Sequence, residues 1–317
     1  MLDSSVASGD NRPMFSIVIP TYNRKDEILK AVDSVLKQTC QDFEIVIVDD
    51  GSTDGTKDAI DALGDDRIRY IKHEQQSGAN AARNTGIGHA QGSYISFLDS
   101  DDIFLKNKLE RISEEIEKFP EEAVFISSHK RIKSNRTSFF HHASKTLTPP
   151  EFQRMLHYYV IDPSTSGLTI RRSILSENKK FDVALRRIQD RELLLRLCND
   201  HGCVLISDVL WQKSWSGDGI ASHHKGYISA LMDMVDRHPS FETSYRDALN
   251  YLIFRSVLKN LAKANISGLH HDIQMLRQSK RLPTSVWRSI TDYMRVKKIR
   301  KSYKKERKEN IPANIGS

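Results

Sequence analysis

The segment SYISFLDSDDIF ends an apolar run, Tyr94 to Leu98, in Asp99, Ser100, Asp101 and Asp102. Three carboxylates within four positions repel one another, and burying one without a partner is costly. A divalent cation answers that repulsion. Hard cations such as Mg²⁺ and Mn²⁺ take oxygen ligands, and often use only one or two carboxylates beside substrate phosphates. An ion held there also offsets the charge of a departing diphosphate. The structural alternative is capping of a helix expected from about Leu105, by Ser100 or Asp102. Capping accounts for Asp102 but has no need of Asp99.

A second segment, VDDGSTDGT, has the same form. An apolar run ends in Asp49 and Asp50, followed by a Gly turn and a helix start. Ser52, Thr53 or Asp54 can cap that helix. Asp50, at the tip, has the chemistry to accept a hydrogen bond from a base ring N–H or a ribose hydroxyl. Arg83 and Asn84, in GANAARNTGI, precede the acidic strand on a helix; an arginine there pairs with a carboxylate or with a phosphate.

Elements must position these groups. Short β-branched or aromatic runs at 15–20, 43–50, 68–73, 93–98 and 123–128 read as strands. Helical faces lie between them, one of Ile28, Leu29, Val32, Val35 and Leu36, another of Leu105, Leu109, Ile112, Ile116 and Phe119. Strands alternating with such helices imply a mostly parallel sheet covered on both faces, which binds ligands at the carboxyl ends of its strands. Those ends read PTYNR (20–24), DDGSTDGT (49–56) and DSDD (99–102). No G-x-G-x-x-G follows the first strand and no G-x-x-x-x-G-K-[ST] occurs, which argues against dinucleotide and P-loop sites. Residues 130–170 are polar and loop-like, 165–175 reads as a strand entering a turn, and 189–198 is helical. Beyond 227 the chain is helical, with Met232, Leu249, Leu252, Ile253, Val257 and Leu258 expected to pack.

At 317 residues, with 38% hydrophobic and 28% charged residues, the chain can build a sizeable core. No apolar run approaches the ~18–20 residues of a membrane span. The first 12 residues lack the apolar centre of a signal peptide and read as a disordered leader. Cys40, Cys198 and Cys203 read as free thiols of a reducing compartment, the cytoplasm. The net charge of +7 is located in one place: 295–308 holds nine Lys or Arg and one Glu, leaving the body near −1.

In order and spacing, SIVIPTYNR, QTCQDFEIVIVDDGSTDGT, SGANAARNTGIGHAQGSYISFLDSDD and FDVALRRIQDRELLLRL resemble the family 2 glycosyltransferases, over roughly residues 14–220. The resemblance implies an α/β GT-A fold, the Rossmann-like mixed sheet of nucleotide-diphospho-sugar transferases, here with a C-terminal helical extension. It implies an inverting transferase that uses a nucleotide-diphosphate sugar, most often a UDP-sugar, with Mn²⁺ or Mg²⁺. Carried over, Pro20, Thr21 and Tyr22 line the base pocket, Asp50 binds uracil, Asp99 the ribose or donor sugar, and Asp101 the metal. Arg24, Asp49, Arg83 and Ser100 complete the donor set. Asp190, in IQDRE, sits where the family keeps its catalytic base; read locally, it is a helix cap.

One departure stands out. Many relatives carry a His shortly before the Ile-Ser of the C-terminal loop, whereas WQKSWSGDGIAS puts Trp215 near that position. Trp cannot ligate a metal, though its ring can stack on a sugar. His223 and His224, just beyond, are alternative contacts to acceptor or diphosphate.

Ahead of the basic run, Trp287, Ile290 and Met294 share a helical face, which suits an anionic membrane surface and a lipid-linked acceptor. A solvated tail is the alternative, and no nucleic-acid partner is expected. The expected organisation is a leader (1–12), a GT-A domain (13–226), a helical extension (227–283) and a basic amphipathic tail (284–317). The expected setting is bacterial surface polysaccharide or lipopolysaccharide synthesis, in the cytoplasm and peripheral to the inner face of the membrane. Two rivals remain at this stage. A sugar-nucleotide nucleotidyltransferase would carry a Gly-rich basic signature after the first strand, which PTYNRKDE does not supply. A non-catalytic nucleotide-sugar module would tolerate Asp190→Asn.

Overall fold

The computed structural model describes residues 12–133, 136–176, 179–214, 227–281 and 285–309. β1 (Phe15–Thr21) and β2 (Phe43–Asp49) are buried along their whole length, as strands covered on both faces must be. Around them come α1 (Lys25–Leu36), α2 (Thr56–Asp61), β3 (Ile68–Lys72), α3 (Ala79–His89), β4 (Tyr94–Phe97), β5 (Ile103–Phe104) and α4 (Lys108–Lys118). The chain continues through β6 (Val124–Lys133), β7 (Arg136–Phe140), β8 (Lys145–Leu147), α5 (Pro149–His157), β9 (Leu168–Arg171), α6 (Gln189–Leu197) and β10 (Cys203–Lys213).

The strand order is β3-β2-β1-β4-β9-β6-β10-β5, with β7 added to β6 and β8 to β10. β3, β2, β1 and β4 are parallel, and β9 enters antiparallel between β4 and β6. The sheet is therefore mixed. Its parallel half matches the four runs legible up to residue 98. Gly92 sets the entry into β4: an added Cβ would lie 2.6 Å from the Ser16 backbone nitrogen, so only glycine lets this turn close on β1.

The stretch 130–170 departs from the loop-like expectation. It holds the distal part of β6, all of β7 and β8, and α5, whose start carries a capping box between Thr148 and Glu151.

The C-terminal part is helical, as expected: α7 (Tyr227–Arg237), α8 (Arg246–Ala262), α9 (Ile266–Gln278) and α10 (Val286–Glu309). Leu258, expected to pack, is 39% exposed. The basic tail forms α10, and one face of it docks on the body. Tyr293 stacks on Tyr251 of α8, Val296 is buried, and Arg300 donates to the backbone carbonyls of Tyr158 and Tyr159. Trp287 and Met294 point away, 78% and 59% exposed. Among the described residues no helix is long and apolar enough to cross a membrane, and all three cysteines are free thiols.

Candidate active site

The carboxyl ends of β1, β2 and β4 meet at one edge of the sheet. At the tip of β1, Thr21 is buried and its hydroxyl has no partner among the described residues, while Tyr22 is 40% exposed. Pro20 is buried within β1 opposite Val48. Asn23 takes a left-handed backbone (φ 48°) and ties two tips together. Its N–H donates to Ser52 Oγ (2.8 Å), and its Oδ1 accepts from the Thr53 N–H (2.9 Å).

The two carboxylates at the carboxyl end of β2 have separate tasks. Asp49 is fully buried and accepts from the Ser52 N–H (2.8 Å) and the Tyr70 hydroxyl, so it holds the turn. Asp50 accepts from the Ser77 and Gly78 N–H groups (2.9 and 2.7 Å) and meets His73 Nδ1 at 2.8 Å. A carboxylate has about four lone-pair sites, so Asp50 keeps one for a further donor.

The acidic tip after β4 divides in three. Arg83, buried on α3, donates to Asp99 Oδ1 (2.7 Å) and Asn80 Oδ1 (3.0 Å). Burial pushes the Asp99 carboxyl up, but Arg83, Lys213 and Arg24 override it and leave it below the ordinary range. Asp101 pairs with Arg24 at 2.9 Å. Ser100, between them, is buried. Asp102 is not the helix cap that its position suggested, because α4 begins only at Lys108 with Asn107 at its cap position. Instead Asp102 accepts from Ser166 Oγ (2.6 Å) and the Ser214 N–H (3.1 Å). Burial, with the neighbouring Asp99 charge, pushes it up to about 7.

Asp190 lies in the first turn of α6, its Oδ1 accepting from the Arg191 N–H (2.8 Å). Burial raises its carboxyl to about 6; the Asp162 charge adds to this, while the Arg191 N–H and side chain and Lys213 act against it. The helix is firmly seated. Arg191 donates to the carbonyls of Leu156 (2.5 Å) and Ile161 (2.9 Å), and its guanidinium lies 3.7 Å over the Tyr159 ring. Asn80 and Asn84 of α3 hold the approach to α6, through the carbonyls of Asp182, Leu185 and Phe181. One helix thus positions both Arg83 and the chain leading to Asp190.

Lys213 is the residue that sequence reasoning missed. At the end of β10 it donates to Ser164 Oγ (3.1 Å). Burial works against its charge, yet Asp102, Asp99, Asp162 and Asp190 together hold it above the ordinary lysine value. Its only local signal was its place at the end of the strand-like run CVLISDVLWQK. Trp215, His223 and His224 lie outside the described residues.

Asp99 and Asp101 suit a hard cation in ligand type and in their place at a partly open strand tip. Among the described residues no three His, Cys, Asp or Glu side chains gather as a metal group. An ion here would take one or two protein oxygens and find the rest on a diphosphate.

The sequence profile of the family described as glycosyl transferase family 2 matches residues 16–178, just over half of the chain. An uncharacterized glycosyltransferase of Rickettsia felis is 50% identical over 115 residues, covering 36% of this chain and 18% of that protein. The Escherichia coli UDP-Glc:alpha-D-GlcNAc-diphosphoundecaprenol beta-1,3-glucosyltransferase WfgD is 43% identical over 97 residues, 31% of this chain and 38% of that one. The chain spans less than half the length of the first curated relatives it matches. Two solved structures share the fold. S. aureus TarS 1-349 in complex with UDP-GlcNAc superposes with a TM-score of 0.61 at 18% identity, covering 96% of this chain and 97% of that one. Mannosyltransferase PcManGT from Pyrobaculum calidifontis, in complex with GDP-Man and Mn²⁺, gives 0.56 at 16% identity, covering 94% and 84%. The expected GT-A fold with a helical C-terminal part is borne out.

Proposed function

Because the chain belongs to glycosyl transferase family 2, we propose that it moves a sugar from a nucleotide-diphosphate sugar, a UDP-sugar first among them, to a hydroxyl of a glycan or lipid-linked acceptor with inversion. The observation that carries this reading is Asp190: a carboxylate raised to about 6, seated by Arg191 and facing the same lysine as Asp99 and Asp102. A base is most effective with a pKa near the working pH.

Asp190 takes the proton of the acceptor hydroxyl as that oxygen attacks the anomeric carbon from the face opposite the diphosphate. One displacement inverts the centre and needs no enzyme nucleophile. Thr21 and Tyr22 receive the base, with Pro20 behind them, and Asp50 receives a ring N–H through loop 73–78. Asp99, fixed by Arg83, meets the ribose or sugar. Bound Mn²⁺ or Mg²⁺, held by Asp101 with Asp99, would neutralise diphosphate charge. A thermal-shift panel of nucleotide diphosphates and nucleotide-sugars, with and without Mn²⁺, tests the donor site. The reading expects stabilisation by a uridine nucleotide, and no shift with any nucleotide would overturn it.

The base assignment also fixes a pH dependence. The carboxylate is the active form, so turnover should rise with pH through about 6 and level off above it. A wild-type kcat that is flat across that region removes Asp190 from the role.

The setting proposed is bacterial surface glycan synthesis at the inner face of the membrane, with α10 as the contact. Its outer face pairs Trp287 and Met294 with exposed Lys297, Lys298 and Lys301, the combination that anionic lipid surfaces attract. Trp287→Ala with Met294→Ala should weaken co-sedimentation with phosphatidylglycerol vesicles several-fold. Equal sedimentation of variant and wild type would exclude α10.

A further inference from the structure

Arg300 lies about two turns along α10 from Tyr293, and its guanidinium is 5.6 Å from the same Tyr251 ring on which Tyr293 stacks. Its Nη1 donates to the carbonyls of Tyr158 (2.7 Å) and Tyr159. Among the described residues no carboxylate pairs with it, so this cation is committed to backbone oxygens.

Those oxygens belong to the turn that ends α5. The N–H groups of Tyr158, Tyr159 and Val160 close back on the carbonyls of Arg154 (3.1 Å), Leu156 (3.1 Å) and Met155 (3.0 Å). Tyr159 takes a left-handed backbone (φ 53°), which a residue with a side chain holds only when its surroundings fix it. Two arginines from distant parts of the chain do so. Arg191 of α6 takes the carbonyls of Leu156 and Ile161 and lies over the Tyr159 ring, while Arg300 takes the two carbonyls between. A helix C-terminus leaves its last carbonyls without intrahelical donors and favours cations, and here two cations interlock through one turn. α10 adds a second tether. The Tyr158 hydroxyl donates to Asp247 (3.1 Å), which pairs with Arg295 at 3.6 Å.

The turn stands beside the base. Burial and the neighbouring Tyr227 push the Tyr159 hydroxyl well above its ordinary value, and the Asp190 charge adds to this. The other charged groups that act on Asp190 are Arg191, Asp162 and Lys213. On the reading of Asp190 as the base, we infer that Arg300 is a positioning residue for it: by fixing the Tyr158–Tyr159 turn it fixes Arg191, and with Arg191 the seat of Asp190. α10 thus completes the site from the far end of the chain.

The test uses the full chain and compares Tm with and without Asp190→Asn at pH 8 and pH 4. An ionised Asp190 costs stability above about 6, so this substitution raises Tm at pH 8 and not at pH 4 when nothing else is changed. Removing Arg300 lets the turn relax and water reach the carboxylate, whose pKa then falls towards its ordinary value. In the Arg300→Met background the gain at pH 8 should shrink to roughly half or less. Arg300→Lys, which keeps a charged donor, should restore most of it. Asp292→Ala breaks a different docking contact of α10, the one from Asn250 (2.7 Å), and should lower Tm while leaving the gain intact. In the slow hydrolysis of the nucleotide-sugar that stabilises the chain most, Arg300→Met should lower kcat roughly 10- to 100-fold with donor KM unchanged. A full gain in the Arg300→Met background, equal shrinkage with Asp292→Ala, no gain in the otherwise unchanged chain, or an undiminished kcat overturns the proposal. Wild-type hydrolysis that does not vary with pH counts against the transferase reading of Asp190 alone.

Discussion

Asp190→Asn should lower kcat by about 10²–10⁴-fold, the usual contribution of a positioned general base. Nucleotide-sugar affinity should stay within about threefold of wild type. The substitution is close to isosteric, and Asn Oδ1 can still accept the Arg191 N–H that Asp190 Oδ1 accepts now at 2.8 Å. What disappears is the ability to take a proton. A second readout separates this role from a structural one. Because burial raises the folded-state pKa of Asp190 above its unfolded value, the ionised carboxylate costs stability as pH rises through about 6. The Asn variant should therefore show a higher Tm than wild type at pH 8 and little gain at pH 4. A stabilised, donor-binding and inactive variant is the signature of a working base. A binding module with no chemistry would keep its function in the variant.

Arg83→Met should have the largest effect on the donor side. Arg83 is buried and joins Asp99 to Asn80, and Asn80 holds the carbonyls of Asp182 and Leu185 on the way to Asp190. Removing one partner of a buried charge pair leaves the other uncompensated, at a cost of about 3 kcal/mol. The loss should appear as a lower urea midpoint with unchanged m. UDP stabilisation in Mn²⁺ should fall at least tenfold in apparent affinity, since Asp99 loses its hydrogen-bonded partner and the strongest of the three cations that keep it ionised. Arg83→Lys should recover charge but not the two-pronged contact. Wild-type stability in Arg83→Met would show that Asp99 does not depend on this arginine.

The proposed donor side stood out in the sequence because its signals are local. Each strand of the parallel half is a short apolar run, and each polar tip follows its strand directly in sequence. Asp50 and Asp99 therefore stood out with no knowledge of the fold. Asp102 was misread for the same reason. A capping reading looks only a few residues ahead, whereas its partners Ser166 and Ser214 are 64 and 112 positions away. Lys213 is a similar case, because the acids it faces come from three separated segments.

The β6–β7 hairpin was read as loop because much of its surface faces solvent, so no apolar alternation marks it. Only the pairing of β6 with β10 and of β7 with β6 fixes it as sheet. α10 was read as a tail for a related reason. Its docking residues Tyr293, Val296 and Arg300 form a narrow stripe among lysines, and the more conspicuous Trp287 and Met294 face outward. The role proposed for Asp190 had no local signal apart from the family resemblance, since a helix cap fits its sequence equally well. Its raised pKa and the Arg191 clamp are tertiary properties.

The central claim is a single displacement at the anomeric carbon, driven by Asp190. It can be tested without knowing the acceptor, because water can substitute for it slowly. The measurement is proton NMR of the sugar released from the nucleotide-sugar that binds best, recorded before mutarotation. The account predicts that an α-linked donor releases the β-sugar first, with Asp190→Asn releasing it at least about 100-fold more slowly. First release of the α-sugar, or an undiminished rate in the variant, would contradict it.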